Sequence, residues 1–445
     1  MNIYRKHGHS EIPNETSRLR ISIAGTGYVG LCTGVGLASL GHHVICIDVD
    51  RKKIDMIKRG VPPIFEEGIE KKMKDAVSSG LLDATEDYDY AVTNSDMTFI
   101  AVGTPSVNGS IDLFYVKSAA RSIGAALRGK TTFHIVVMKS TVVPGTTESI
   151  VSIIEKESAK KYGQDFGVCV NPEFLREGRA LHDFMNPDRI VIGTGDKKSL
   201  AQMEDLYKDF GAPIVRTNLM TAEMIKYASN AFLASKISFI NELGNLCKKL
   251  GLDTYKVAEG MGYDKRIGRQ FLDAGIGFGG SCFRKDAEAI IQKAKSSGTE
   301  MRILQSALQT NLEQPIKIIE VLEKRTELKG KTVALLGLAF KKDTDDVRDA
   351  PSICVIKDLL AKKCVINAYD PEATKNMKTI FPSINYTQNV QDALKGADAC
   401  LILTEWEEFK DLKDDDFFRM KGKIIIEGRR VLQREKVKNF EGICW

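Results

Sequence analysis

From Leu19 onward, short apolar runs alternate with longer amphipathic stretches. Leu19–Ala24, His43–Asp48, Met97–Val102, Phe133–Met138, Gly167–Asn171 and Arg189–Gly193 are apolar through most of their length, as strands covered on both faces are. Helical periodicity fills most of the gaps, so the alternation predicts a parallel, doubly wound sheet. Pro62, Pro63, Pro105, Pro144, Pro172 and Pro187 sit near the element ends, where turns belong. Met220 to Leu250 then runs about thirty residues without proline, broken in pattern only by Gly244. Its apolar positions Met224, Ile225, Ala228, Phe232, Ile237, Ile240 and Leu243 favour one face, which suits a spine and a dimer contact. Further helices are expected over Thr254–Gly260, Asp286–Ser296 and Arg302–Arg325. A second strand–turn unit opens at Leu328-Lys-Gly-Lys-Thr-Val-Ala-Leu-Leu-Gly, with strands at Val365–Tyr369, Ala399–Leu403 and Lys423–Ile426. The predicted fold is α/β, two Rossmann-like doubly wound domains joined by a long central helix. Its divisions are a flexible polar leader over 1–18, a first Rossmann domain over 19–215, a helical dimerisation domain over 216–325, and a second Rossmann-like domain over 326–445.

Composition narrows the function classes. The 445 residues carry 64 Lys and Arg against 59 Asp and Glu, a net +5 without a dense basic block. That balance fits an anionic small ligand and gives no support for nucleic-acid binding. No apolar run approaches the length of a membrane span, and the N-terminus lacks the apolar stretch of a signal peptide. The nine cysteines are scattered, with no C-x-x-C pair, which points to a reducing cytoplasm. The six histidines show no metal-binding spacing, so no metal is expected.

The first strand leads into Gly25-Thr-Gly27-Tyr-Val-Gly30. Gly25 allows a tight turn, Gly27 lets the backbone approach a pyrophosphate, and Gly30 lets the helix pack close to the strand. The second strand ends in Asp48, placed to accept ribose hydroxyls and to repel a 2′-phosphate, which favours NAD. The alternative for Asp48 is a helix cap, for which Asp50 is an equal candidate. Lys53 is near enough to contact the ribose. Gly103-Thr104-Pro105 and Lys139-Ser140-Thr141 follow two further strands, at the sheet edge where ligands of open α/β folds bind.

Gly275-Ile-Gly277-Phe-Gly279-Gly280-Ser-Cys282-Phe-Arg-Lys285-Asp286 is the most informative segment. Its glycines are expected to let backbone N–H groups crowd a thiol, with a helix from near Asp286 supporting the thiolate. The other eight cysteines read as small buried hydrophobes. On the long helix Lys226 and Asn230 stand four apart and share a face. Asn171-Pro172-Glu173-Phe174-Leu175-Arg176-Glu177-Gly178 follows another strand and brings Glu173 to the sheet edge. A thiol beside NAD can hold an aldehyde as a thiohemiacetal, which is oxidised to a thioester and cleaved by water to an acid.

These motifs, with Phe340-Lys341-Lys342-Asp343-Thr344, resemble the UDP-glucose/GDP-mannose dehydrogenase family from about Leu19 to about Leu432, and within it the UDP-glucose 6-dehydrogenases. Val142-Val143-Pro144-Gly145 is closer to the GDP-mannose branch, and Glu427-Gly-Arg429-Arg430 departs from the usual Asp-x-Arg-Asn. Gly-Phe-Gly-Gly-Ser-Cys-Phe is closer to the UDP-glucose branch, and Ser281 speaks against a UDP-N-acetylmannosamine enzyme. The resemblance implies oxidation of the C6 alcohol of UDP-glucose to a carboxylate, with two NAD per turnover. It implies Cys282 as nucleophile, Lys226 stabilising oxyanion charge with help from Asn230, and Asp286 organising a water or acting as base. Glu173 would assist thioester hydrolysis, with Thr141 holding the water. NAD would be held by Gly27, Tyr28, Val29, Asp48, Lys53, Thr104, Thr141, Glu177, Lys285 and Arg348. UDP-glucose would be held by Glu173, Phe174, Leu175, Lys226, Asn230, the loop from Phe271 to Gly279, Phe340, Lys341 and Arg429. The C-terminal domain would take the UDP part, and Arg266 would reach a neighbouring site in a homodimer or larger homo-oligomer.

Two other readings compete. A two-electron hydroxyacid dehydrogenase would share the glycine turn and the Lys-x-x-x-Asn pair but have no use for Cys282. A catalytically silent nucleotide-sugar binding protein would not need the whole set of Cys282, Lys226, Asn230, Asp286 and Glu173.

Overall fold

The computed structural model describes residues 18–107 and 109–445. The leader expected over 1–18 lies, Arg18 apart, outside the described residues. The chain falls into two compact units, one of 18–107 with Ile111–Lys226 and one of Tyr227–Trp445 with 109–110.

In the first unit, strands β1 (Arg20–Ala24), β2 (His43–Ile47), β3 (Leu82–Thr85), β4 (Met97–Ile100), β5 (His134–Met138), β6 (Phe166–Val170), β7 (Ile190–Thr194) and β8 (Ile214–Thr217) form one sheet in the order β8-β7-β6-β5-β4-β1-β2-β3. Successive side chains of a strand point to opposite faces. Ile135 and Val137 enter one core and Val136 and Met138 the other, so both faces are covered and the strand reads as a continuous apolar run. Five of the six expected strands run parallel as the sequence predicts, with β3 beside them, but the sixth, β7, pairs antiparallel with β6, and β8 follows β7. The reason is the connection 171–189, which stays at the carboxyl edge. It carries only the short helix Ala180–Met185, so β7 starts where β6 ends. The edge strands β3 and β8 escape the apolar pattern because Asp83, Val215 and Arg216 face solvent.

The second unit holds β9 (Thr332–Leu336), β10 (Val365–Tyr369), β11 (Asn385–Tyr386), β12 (Ala399–Ile402), β13 (Ile424–Glu427) and β14 (Glu441–Gly442). They form an all-parallel sheet in the order β11-β10-β9-β12-β13-β14. The helix expected over Arg302–Arg325 is interrupted. Arg302–Glu313 passes through a 3₁₀ turn, Gln314–Ile316, into Lys317–Glu323, because Pro315 cannot supply the next helical N–H.

The long helix runs Leu219–Leu250, 32 residues. Its faces differ from the pattern expected of a core helix. Glu223, Lys226, Asn230, Ser238 and Asn241 are buried, whereas Met224, Phe232, Phe239 and Leu246 are exposed. Burying five polar side chains costs free energy unless each is hydrogen-bonded or paired. Here Glu223, Ser238 and Asn241 are bonded to Gly145 N, Ala307 O and Gly275 N.

Candidate active site

At the glycine turn the three glycines divide their work as the spacing implies. Gly25 has φ of 100°, and a Cβ there would meet the Ala101 carbonyl oxygen at 2.6 Å. A Cβ on Gly30 would lie 1.9 Å from the Gly25 oxygen, so the helix Tyr28–Ser39 reaches the turn only with glycine. Gly27 is different: its Cβ would meet nothing within 4 Å, and it opens the helix with no side-chain cap. A helix N-terminus without a side-chain cap is the partner a pyrophosphate needs. Asp50, not Asp48, caps the next helix, accepting from Lys52 N at 3.0 Å. Asp48 instead accepts from Thr26 N at 2.9 Å, from the Thr26 hydroxyl, and from Asp50 N at 3.0 Å. Burial pushes the Asp48 carboxyl up, but these bonds and the charge of Lys53 outweigh it and hold it below the usual range. The half-buried Asp48 thus stays anionic beside the open helix end, and the residues fit NAD.

A second cluster stands at the carboxyl ends of β5 and β6. Glu173 Oε1 pairs with Lys226 Nζ at 2.8 Å, and Oε2 accepts from Leu175 N at 2.6 Å. Both side chains are buried, with Glu173 8% and Lys226 4% exposed. Burial raises Glu173, and the Lys226 charge and bond, the Leu175 N–H and the Lys139 charge pull it below its ordinary range. Lys139, buried as well, donates to Asn171 Oδ1 at 2.9 Å. Asn171 also accepts from the Tyr207 hydroxyl at 2.7 Å and donates to Val191 O at 2.9 Å. A cavity of about 280 Å³ opens here, walled by Glu173, Phe174, Arg176, Asp183 and Arg189. The Arg189 guanidinium stacks 3.6 Å over the Phe174 ring.

The second unit carries the thiol. Cys282 is the exposed member of the nine cysteines; seven are buried and Cys354 is half-buried. Burial pushes the Cys46 and Cys169 thiols up to about 12, which makes them inert. The helix begins at Phe283, three residues before the expected start, with Cys282 in the N-cap position and Asp286 in the first turn. Phe283 packs edge-on against Phe278, at 5.5 Å between centroids, and against Phe271 at 6.2 Å, which anchors that extra turn. The helix N-terminus favours a thiolate at Cys282. Asp286 is 2% exposed; it accepts from Asn230 Nδ2 at 2.7 Å and pairs with Lys285 Nζ at 2.5 Å.

Several N–H groups of the glycine loop are committed elsewhere than to the thiol. Those of Gly275, Ile276, Phe278 and Gly280 are already bonded, to Asn241 Oδ1, Gly428 O, Asn311 Oδ1 and Arg348 O. The glycines serve close packing. A Cβ on Gly279 would lie 2.5 Å from the Asp349 oxygen, and one on Gly280 2.8 Å from the Phe340 ring. Arg429 donates to the Gly277 oxygen, and Gln314 to the Gly275 oxygen at 2.8 Å. Phe271, in the left-handed region with φ of 65°, lines a small cleft with Gly277, Phe278 and Arg429.

The first unit therefore gathers Gly27, Tyr28, Val29, Asp48 and Lys53 at the turn. Thr104 and Thr141 follow the ends of β4 and β5, Glu177 lies beyond Glu173 in the loop after β6, and Glu173 meets Lys226. The second gathers Cys282, Lys285, Asp286 and Asn230, with Gly279, Phe340, Lys341, Arg348 and Arg429 around the loop. Arg266 stands in an exposed segment and pairs with Asp264 at 2.6 Å. Sequence reasoning passed over Lys139 as a site residue, and Asn241, Asn311 and Gln314 altogether. Lys139 was signalled by its place in Lys-Ser-Thr after a strand. The amides, on helices far along the chain, gave no signal. Among the described residues no group of three or more His, Cys, Asp or Glu could hold a metal ion, and no helix is long and apolar enough to cross a membrane.

Comparison with known proteins matches three domains of one family in order. Residues 19–211 match the NAD binding domain, 220–313 the central domain, and 334–434 the UDP binding domain of the UDP-glucose/GDP-mannose dehydrogenase family. The UDP-glucose 6-dehydrogenase TuaD of Bacillus subtilis is 45% identical over 423 residues, 94% of this chain and 91% of that protein. The UDP-glucose 6-dehydrogenase AglM of Haloferax volcanii is 44% identical over 432 residues, 96% of this chain and all of that protein (100%). The solved structure of a UDP-glucose dehydrogenase from Pyrobaculum islandicum matches with a TM-score of 0.92 and 42% identity, over 98% of this chain and 100% of that one. With its NAD-binding turn, its two α/β units and its exposed cysteine, the chain belongs to the UDP-glucose/GDP-mannose dehydrogenase family.

Proposed function

We propose that this chain oxidises UDP-glucose to UDP-glucuronate in two NAD-dependent stages. The observation that carries the reading is Cys282, exposed at a helix N-terminus, with a buried Asn230–Asp286 pair one turn along. NAD, when bound, accepts a hydride at each stage. The open helix end at Gly27 receives its phosphates and Asp48 its adenosine ribose, with Tyr28, Val29, Lys53, Thr104, Thr141, Glu177, Lys285 and Arg348 completing the NAD contacts.

Cys282 Sγ forms a bond to the carbonyl carbon of the C6 aldehyde, and the carbonyl oxygen takes up a proton, giving a thiohemiacetal. Loss of hydride from that carbon and of the hydroxyl proton leaves a thioester. Water adds, the C–S bond breaks, and the carboxylate leaves with the thiol regenerated. Lys226, assisted by Asn230, stabilises the negative charge that develops on oxygen. Asp286 orients the water or takes its proton, and Glu173 assists the hydrolysis with Thr141. Phe174, Leu175, Phe271, Gly279, Phe340, Lys341 and Arg429 hold the nucleotide sugar.

The assembly belongs to the same reading. Met224, Phe232, Phe239 and Leu246 present an exposed apolar stripe on the long helix, which suits a homodimer contact, and the exposed Arg266 would exchange its Asp264 partner to reach a neighbouring site. The nine free cysteines suit the cytoplasm.

The test is NADH formed per sugar consumed, with UDP-glucose, UDP-N-acetylmannosamine and GDP-mannose in parallel. Two equivalents are expected with UDP-glucose. Two with another sugar would move the substrate, one with any would remove the thioester, and none would leave a binding protein.

A further inference from the structure

Three ionisable side chains lie buried together in the first unit, and the mechanism uses only two of them. Glu173 and Lys226 are the pair at 2.8 Å. The third, Lys139, is 5% exposed and meets Asn171 Oδ1 at 2.9 Å, a neutral partner that does not compensate its charge. An ammonium removed from water without a carboxylate of its own is costly, and a protein retains one where the charge serves another group. That other group is Glu173, whose field favours the charged form of Lys139 while Lys226 opposes it. Burial and Lys226 outweigh Glu173 and bring Lys139 down to about 8. The arrangement is two cations for one carboxylate.

The surplus cation has a use only if one of the two must leave. Lys226 holds Glu173 through an ion pair at 2.8 Å, and it cannot turn to a developing oxyanion without giving up some of that contact. Glu173 would then be a buried carboxylate held by one backbone N–H, from Leu175. Lys139 cannot move in the same way. Asn171 clamps it and is itself fixed by the Tyr207 hydroxyl and Val191 O on the antiparallel strand β7.

Resting on the function proposed above, we infer that Lys139 is a positioning residue: its fixed, buried ammonium keeps Glu173 ionised when Lys226 turns to the reacting oxygen. The other charged or titratable groups on this cavity are Arg176, paired with Asp183 at 2.7 Å, then Arg179, His182, Asp188, Arg189 over Phe174, and Tyr207. The Tyr207 phenol is pushed up by burial and stays neutral across the range tested.

The experiment is the pH profile of kcat from pH 5 to 9 for the native chain and for Lys139→Met, Lys139→Arg and Tyr207→Phe, with KM for NAD measured alongside. The native chain must first give two NADH per UDP-glucose; if it does not, the functional reading fails and not this inference. With the stoichiometry in place, Lys139→Met removes a cation from the field of Glu173. Its carboxyl then protonates more easily, and the acid limb should move to higher pH by about one unit. Lys139→Arg should keep the native limb. Tyr207→Phe, which loosens Asn171 without changing charge, should leave the limb in place, and KM for NAD should stay within about twofold throughout. A Lys139→Met profile that overlays the native one, or that drops by the same factor at every pH, would overturn the inference. So would an equal shift in Tyr207→Phe. If Lys139→Met does not accumulate folded, Lys139→Gln against Lys139→Arg decides the same question.

Discussion

Gly25 and Gly337 hold the same place in the two units. Each leaves the central strand at a φ near 100°, 100° and 93°, and each donates its N–H to the last carbonyl of the neighbouring strand, Ile47 O and Tyr369 O, at 2.8 Å. An aspartate follows that neighbouring strand in both, Asp48 and Asp370, and reaches back to the turn. There the likeness stops. In the first unit a helix begins at Tyr28 with its end open at Gly27, and Asp48 is half-buried beside it. In the second, Asp370 is 3% exposed and already accepts from Leu338 N at 2.6 Å, Ala339 N at 3.0 Å, Trp406 Nε1 at 3.0 Å and Ala373 N at 2.7 Å. The next helix waits until Pro351, and the intervening segment packs against Gly279 and Gly280. A glycine turn with an acid after the next strand therefore does not make a dinucleotide site by itself. The site also needs a helix that begins directly at the turn, with no side-chain cap on its N-terminus. The second unit has kept the scaffold, filled the site, and uses the same sheet edge to brace the loop that carries Cys282.

That contrast can be broken at several points, beginning with the largest effect. Cys282→Ser should lower acid formation by about 10³-fold or more while leaving NAD and nucleotide-sugar binding in place, measured by turnover and by titration calorimetry. Turnover within tenfold of native would remove the covalent role of the second unit. Asp370→Ala should act on stability and not on NAD, because it orphans several buried donors; a loss of about 3 kcal/mol is expected from denaturant unfolding. An unchanged midpoint with weakened NAD would reverse the assignment of the two aspartates.

Glu427 sharpens the picture of a filled edge through pH. It is fully buried; burial pushes its carboxyl up to about 7 against the N–H groups of Leu432 and Val431 and the Trp445 indole, which pull it down. A carboxyl raised in the folded state favours folding while protonated, and that contribution is lost as pH rises from the usual carboxylate range through about 7. Stability should fall by roughly 3 kcal/mol across that window, and Glu427→Gln should flatten the slope. The same slope in the variant would assign it elsewhere. Asp48→Ala should cost the least, weakening NAD by about tenfold with UDP-glucose affinity unchanged. Equal losses for both ligands would point to a general loss of folding.

Much of this was legible in the residues themselves. The inner strands of both units follow from apolar runs, because a strand buried on both faces has few polar positions to offer. Gly25, Gly27 and Gly30 announce their roles because each is a local demand: a positive φ, an open approach, a close contact. Cys282 stood out because a buried structural cysteine needs no glycine loop before it. Chain order, spacing and motif thus determined the α/β class and the glycine turn of the NAD-binding domain, and singled out the cysteine that proves exposed.

The tertiary structure alone decided what depends on partners distant in sequence. The reversal of β7 comes from the path of a connection, and it places Val191 against Asn171 and so fixes Lys139. The glycine loop reads as a cradle for the thiol, but Asn241, Asn311, Gln314 and Arg429 hold it from 33 to 152 residues away: the two asparagine oxygens accept from Gly275 N and Phe278 N, while Gln314 and Arg429 donate to the Gly275 and Gly277 oxygens. The helix of Cys282 starts early because Phe283 finds Phe278 and Phe271. Whether an aspartate after a strand faces ribose or a ring of buried donors is likewise invisible in the motif. A hydrogen bond or a filled cavity is a property of two surfaces, and a one-dimensional pattern specifies only one of them at a time.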